Sequence, residues 1–194
     1  MKNIYFFDNR FPEKLHILIF SALLIFTPLL SISAWASDPV PVIDYMLTDN
    51  HGGSWADAEK NSDRYDDDML CWAAVAANVL EWTGWGNVDG MTNTDEMFSY
   101  YIDHWSNLGG NMEFAWEWWF TGVNPSEGWS GWPQVTSPGG GFYTDYEFDD
   151  YYYRSSIYPD NYAIALSDID QYLHQGHGIG IGISGPGGGH ALTV

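Results

Sequence analysis

The stretch from Asp66 to Gly84, DDDMLCWAAVAANVLEWTG, decides how the chain is read, and it holds the single cysteine, Cys71. Ala, Val, Leu and Trp recur through it with helical spacing. Three aspartates stand where a helix start is capped, and Gly84 supplies a stop, so the pattern predicts a buried helix from about Leu70 to Trp82. Cys71 then falls in its first turn, where free backbone N–H groups and the positive end of the helix dipole favour thiolate, the form that attacks carbonyls. A lone cysteine on an apolar helix also serves as plain packing, and the adjacent carboxylates oppose thiolate formation. A catalytic reading therefore needs a base, an oxyanion donor and a suitable compartment.

The compartment comes from the beginning of the chain. Lys2, Arg10 and Lys14 give a positive start, Ile17 to Leu30 is apolar apart from Ser21, Thr27 and Pro28, and Ala34-Trp35-Ala36 fits the small-x-small cleavage rule. Residues 1–36 are expected to be a signal peptide cleaved before Ser37, which places the protein outside the cytoplasm, secreted or periplasmic. The apolar run is too short and broken for a membrane span. Residues 37–194 are the size of one domain.

Charge narrows the function classes. The chain has 6 basic and 26 acidic residues; removing the leader takes Lys2, Arg10, Lys14, Asp8 and Glu13, leaving 3 against 24 and a net charge of −21. Such a surface repels phosphate backbones and excludes nucleic-acid binding. An aromatic content of 18% argues for a packed fold despite that charge. One cysteine in an exported chain forms no internal disulfide, which marks the thiol as reactive.

Further along, Ser37 to Asn50 reads as an extended lead-in. Trp55 to Lys60 is a short polar segment that places the cation of Lys60 eleven residues before Cys71, where it can stabilise an oxyanion. Met97 to Ile102 and Phe114 to Phe120 each suit a short helix, Gly128 to Gly141 a surface loop, and the many aromatics of this region suit core packing before a ligand cleft. Asp145 to Asp150 offers the carboxylate oxygens that calcium prefers but lacks the spacing of an EF-hand, so a solvated acidic loop is the expectation and calcium binding the alternative. Ala163 to Gln175 is an amphipathic helix with Ile164, Leu166, Ile169, Tyr172 and Leu173 apolar, Ser167-Asp168 helping to start it and Gly176 ending it. Gly178 to Ile183 alternates Gly and Ile, a strand with one bare face that another element must approach closely. After the glycine turn Gly185 to Gly189, His190 to Val194 begins a second strand, and the two form an antiparallel hairpin. His190 thereby stands at the loop end of a rigid element, far in sequence from Cys71, as catalytic Cys and His pairs do.

Trp55 to Lys60, Asp67 to Trp82, Trp118 to Gly122, the helix into Gly176, Gly180 to Gly182 and His190 to Val194 resemble, in order, the IdeS/Mac-type immunoglobulin-degrading cysteine peptidases. The resemblance implies an α+β, papain-like fold in which a helix bearing the nucleophile packs on an antiparallel sheet bearing the histidine. It implies Cys71 as nucleophile, His190 as general base and then acid, and Lys60 as oxyanion-hole cation, with no cofactor or metal and with a protein substrate of which immunoglobulin-like proteins are the family's example. The family's third triad residue follows the histidine on the next strand, whereas this sequence ends four residues after His190. A domain incomplete at its C-terminus, or a decayed copy of low activity, is the expectation. An exported, non-catalytic module that binds peptide or glycan through its tryptophans and a cell-wall cysteine amidase are the alternatives.

Overall fold

The computed structural model describes residues 2–7, 58, 60, 66–157, 162–185 and 188–194. Among them four helices and a four-stranded, wholly antiparallel sheet form a mixed α+β fold. The strands are β1 (Lys2–Phe7), β2 (Tyr152–Ile157), β3 (Gly178–Gly185) and β4 (Gly188–Thr193), side by side in the order β2-β1-β3-β4. The helices are α1 (Cys71–Thr83), α2 (Thr94–His104), α3 (Met112–Thr121) and α4 (Tyr162–His174).

The predicted central helix is present as α1. Gly84 closes it in the left-handed conformation (φ +81°) that costs glycine nothing. The aspartates do not cap it: Leu70 is the N-cap without a side-chain bond, and the turn before it is closed by Leu70 N–H donating to the Asp67 carbonyl at 3.0 Å. Ala73 to Ala77, Val79, Leu80 and Thr83 are buried, whereas Trp82 is 58% exposed and so lies on the outer face of the helix. The helices α2 and α3 have asparagine caps, Asn93 accepting from Glu96 N–H and Asn111 from Glu113 N–H. In α4 the start lies at Tyr162, five residues before Ser167, and Ile164 and Leu166 face solvent while Ala165, Ile169, Tyr172 and Leu173 pack inward.

The alternating glycines and isoleucines of β3 place the sheet between two helical layers. A Cβ on Gly178 would lie 2.7 Å from Val79 Cγ1 and 3.0 Å from Thr83 Cγ2, and one on Gly180 would lie 3.0 Å from Val75 Cγ1 and against Met112 Sδ. The bare face is therefore filled by α1 and the start of α3. Ile179, on the other face, joins Ile4, Phe6 and Ala165 in a second cluster beneath α4. The larger cluster is aromatic, with Trp72, Trp85, Trp116, Trp118, Trp119 and Phe120 all but fully buried. Tyr101 and Tyr143 share it, donating to the Ala115 and Trp85 carbonyls, and burial pushes the Tyr143 phenol up to about 12.

The strands β1 and β2 have no counterpart in the sequence reading. Lys2–Phe7, the positive start of the expected leader, is an inner strand paired to β2 on one side and β3 on the other. Its Ile4, Tyr5, Phe6 and Phe7 are buried. Burial of four such side chains contributes roughly 6–12 kcal/mol, as much as the net stability of a whole domain. Cleavage before Ser37 and this sheet therefore belong to different forms of the chain. Residues 8–36 and the lead-in Ser37 to Asn50 lie outside the described residues.

Two measurements check these points. Gly178→Ala should cost about 1–3 kcal/mol in urea unfolding because the β-branched Val79 and Thr83 cannot give way, whereas Gly109→Ala, whose Cβ meets only the Met69 methyl at 3.5 Å, should change stability by less than about 0.5 kcal/mol. The intact mass of protein folded with this sheet should include residues 2–7; a folded, equally stable species beginning at Ser37 would show that β1 is dispensable.

Candidate active site around Cys71

Cys71 is the first residue of α1, half-buried against the larger core cluster. The first helical N–H groups with carbonyl partners are those of Ala73 and Ala74, both bonded to Leu70, so the Cys71 and Trp72 N–H groups are unbonded among the described residues. These are the groups an N-terminal thiol or an oxyanion beside it would use. Lys60 is exposed, and its Nζ donates to the Asp68 carbonyl at 3.0 Å, which ties the cation to the turn that feeds Cys71.

Asparagines whose roles have no motif tie α1 and the loops around it together. Asn107 Oδ1 accepts from Met69 N–H at 2.8 Å, and the adjacent Leu108 carbonyl accepts from Trp72 Nε1 at 3.0 Å, so the loop after α2 grips both sides of Cys71. Gly110 lets that loop in: a Cβ there would lie 2.7 Å from the Trp72 ring and from Pro133. Asn78, buried in α1, accepts from Ala58 N–H at 2.7 Å and donates to Thr193 Oγ1 at 3.0 Å, joining the helix to β4 and to the segment that carries Lys60. Asn124 accepts from Ser126 N–H and fixes the loop behind Pro133. An isolated asparagine reads from sequence as a cap or turn residue, and only the register of β4 against α1 shows what Asn78 does.

The β4 register also locates His190. Gly180 pairs with Thr193, Gly182 with Ala191 and Ile183 with His190. Thr193 bonds α1 and Ala191 belongs to the core cluster that includes α1, so those positions face the helix. Strand alternation puts His190 on the opposite face, where it is exposed beside Leu192. Among the described residues no hydrogen bond joins Cys71 to His190. The structure thus brings Lys60 toward the start of α1 and sets β4 against that helix, and it leaves the imidazole on the far face of its strand.

The acidic loop holds no surprise in placement: Asp145, Glu147, Asp149 and Asp150 are exposed around a buried Phe148. Nearby, burial first and then Glu113 and Asp149 raise the carboxyl of Glu117 above its ordinary value. Comparison with protein-family models, with curated proteins and with solved structures finds no match for this chain.

Asn78→Ala should lower stability by about 1–3 kcal/mol, since it leaves the buried Ala58 N–H without an acceptor and frees Thr193. A thermal melt identical to that of the unsubstituted protein would show that the helix is held to β4 by packing alone.

Proposed function

We propose that the protein is a secreted cysteine endopeptidase of papain-like architecture, similar to the IdeS/Mac type, acting on protein substrates that include immunoglobulin-like ones. The observation that carries this reading is the position of Cys71 as the first residue of α1, beside N–H groups that are unbonded among the described residues and the tethered Lys60 cation. In the proposed reaction the Cys71 thiolate attacks a peptide carbonyl, and the carbonyl carbon gains an S–C bond as its oxygen takes the negative charge. Lys60 and the Cys71 N–H stabilise that oxygen. Collapse breaks the C–N bond, the amine leaves with a proton from His190, and water, deprotonated by the same imidazole, releases the acid and regenerates the thiol.

For His190 to serve, β4 must present its other face to α1. A slip of one residue along β3 accomplishes that, because it turns every side chain of a strand over, and strands as rich in glycine as Gly178–Gly185 and Gly188–Thr193 specify register weakly. The slip would break the Asn78–Thr193 bond. Export is proposed on the leader-like composition of residues 1–36.

The placement of His190 on the outer face favours a second reading, an exported module that binds peptide or glycan without catalysis. The exposed rings of Trp82, Trp129 and Trp132 are the ones it would use. One assay separates the two. Thiol-dependent cleavage of a casein or immunoglobulin substrate should be abolished in Cys71→Ala and fall by at least about 100-fold in His190→Ala. Cleavage that survives Cys71→Ala, or its absence from the unsubstituted protein, would refute the peptidase reading. Loss in Cys71→Ala with full activity in His190→Ala would assign the base to another residue.

A further inference from the structure

Four large apolar side chains stand exposed around the turn before α1 and the two loops beside it, Met69 (51%), Leu108 (40%), Trp129 (54%) and Trp132 (40%). The loops, residues 106–110 and 122–135, are bonded to each other: Ser106 N–H donates to the Gln134 carbonyl and Gln134 N–H to Ser106 Oγ, both at 2.9 Å. The first loop flanks Cys71, since Asn107 accepts from Met69 N–H and the Leu108 carbonyl from Trp72 Nε1. The Met69 methyl lies over Gly109, and Pro133 of the second loop meets Gly110 beside the Trp72 ring. An apolar ledge therefore runs outward from Cys71, first Met69 and Leu108, then Trp132 and Trp129.

The far end of the ledge is held in place from beneath. Trp129 and Trp132 stand edge to face with centroids 6.1 Å apart, and the buried Phe114 supports them at 6.1 and 5.3 Å. Gln134 Nε2 donates to the Ser126 and Trp132 carbonyls at 2.8 and 3.2 Å, while its Oε1 accepts from Asn124 Nδ2 at 3.2 Å. Rings fixed in this way lose little freedom when something settles on them. Large apolar side chains gathered on one exposed surface mark an interaction site.

The chemistry of the ledge selects its occupant. A glycan needs polar side chains free to meet its hydroxyls, and those of Asn107, Asn124 and Gln134 are already bonded within the protein. Charge does not select it either: Glu127 is the only charged residue of the two loops, in a chain of net charge −20. What the ledge offers is apolar surface in a line that ends at a thiol. We infer that it docks an extended peptide segment with aliphatic or aromatic side chains, which Trp129 and Trp132 grip and which Met69 and Leu108 lead to Cys71. Burial of those side chains supplies the affinity. The link to Cys71 rests on the peptidase reading, whereas the docking does not.

The test is a calorimetric titration of the full chain carrying Cys71→Ala, which holds a peptide without turning it over. The probes are the acetylated hexapeptide amide Gly-Phe-Ala-Leu-Ala-Gly, its counterpart with serine in place of Phe and Leu, and chitohexaose. Saturable binding of the first is expected, at least about tenfold tighter than the second. Adding Trp129→Ala, Trp132→Ala or Leu108→Ser should each weaken it about fivefold with the melting temperature in place, and Leu166→Ala, as exposed but on α4, should not. In the chain that keeps Cys71, the two tryptophan substitutions should raise KM for cleavage of the same peptide about fivefold and leave kcat within about twofold. Binding without cleavage would support the docking ledge while refuting the peptidase reading. Cleavage with KM unchanged in both tryptophan variants would overturn the ledge and leave that reading standing. Equal binding of the serine peptide, or binding of chitohexaose as tight as that of the apolar peptide, would overturn the proposed occupant.

Discussion

A helix can lie close to a strand only where the strand has no side chains, and the seat of α1 on the glycine face of β3 is the contact on which the rest of this fold depends. Val75, Val79 and Thr83 fill the space that Gly178 and Gly180 leave. Once they do, the direction of α1 is set. Asn78 then comes within reach of Thr193 on the neighbouring strand, and Cys71 is carried past the packed region to a half-buried position at the helix start. The isoleucines that alternate with those glycines are turned to the other side, where Ile179 meets α4 and supports the second cluster.

That much was legible in the sequence because period-two and helical patterns report burial directly. The span of α1, its glycine stop, the short helices α2 and α3, the hairpin and the demand for a close neighbour on the bare face all follow from such patterns. The misreadings have equally physical causes. Asp66 to Asp68 look like caps, but the backbone turn through Asp67 and Leu70 leaves their side chains off the first helical N–H groups. The span Ala163 to Gln175 agrees with α4 to within a residue at each end, but Ser167-Asp168 lie inside the helix rather than at its start. The strand in Lys2–Phe7 is missed, because a lysine before apolar residues has the appearance of a leader and the two strand partners lie more than 140 residues away in the chain.

The aromatic middle of the chain resolves into core. Trp116 and Trp119 donate their indole N–H groups to the Ala76 and Trp85 carbonyls, so these large rings are buried without leaving a donor unmet. Trp129 and Trp132 remain outside on a turn held by Gln134, whose amide donates to the Ser126 and Trp132 carbonyls. Of the three residues proposed for catalysis, Lys60 and Cys71 are placed by contacts near the start of α1, while His190 is governed by the register of a glycine-rich edge strand. Alternation along β4 could not be related to α1 from sequence, because the parity of a strand against a helix is decided by the fold.

The proposed peptidase reading requires Cys71, half-buried at the start of α1, to be a reactive thiol. The rate of Cys71 alkylation by iodoacetamide near pH 7, compared between folded protein and protein unfolded in urea, tests it most directly. A folded-state rate above the unfolded one is predicted, because Cys71 stands half-buried at the helix start beside N–H groups that are unbonded among the described residues. Alkylation slower in the folded protein, and complete only on unfolding, would contradict it and make Cys71 a packing residue.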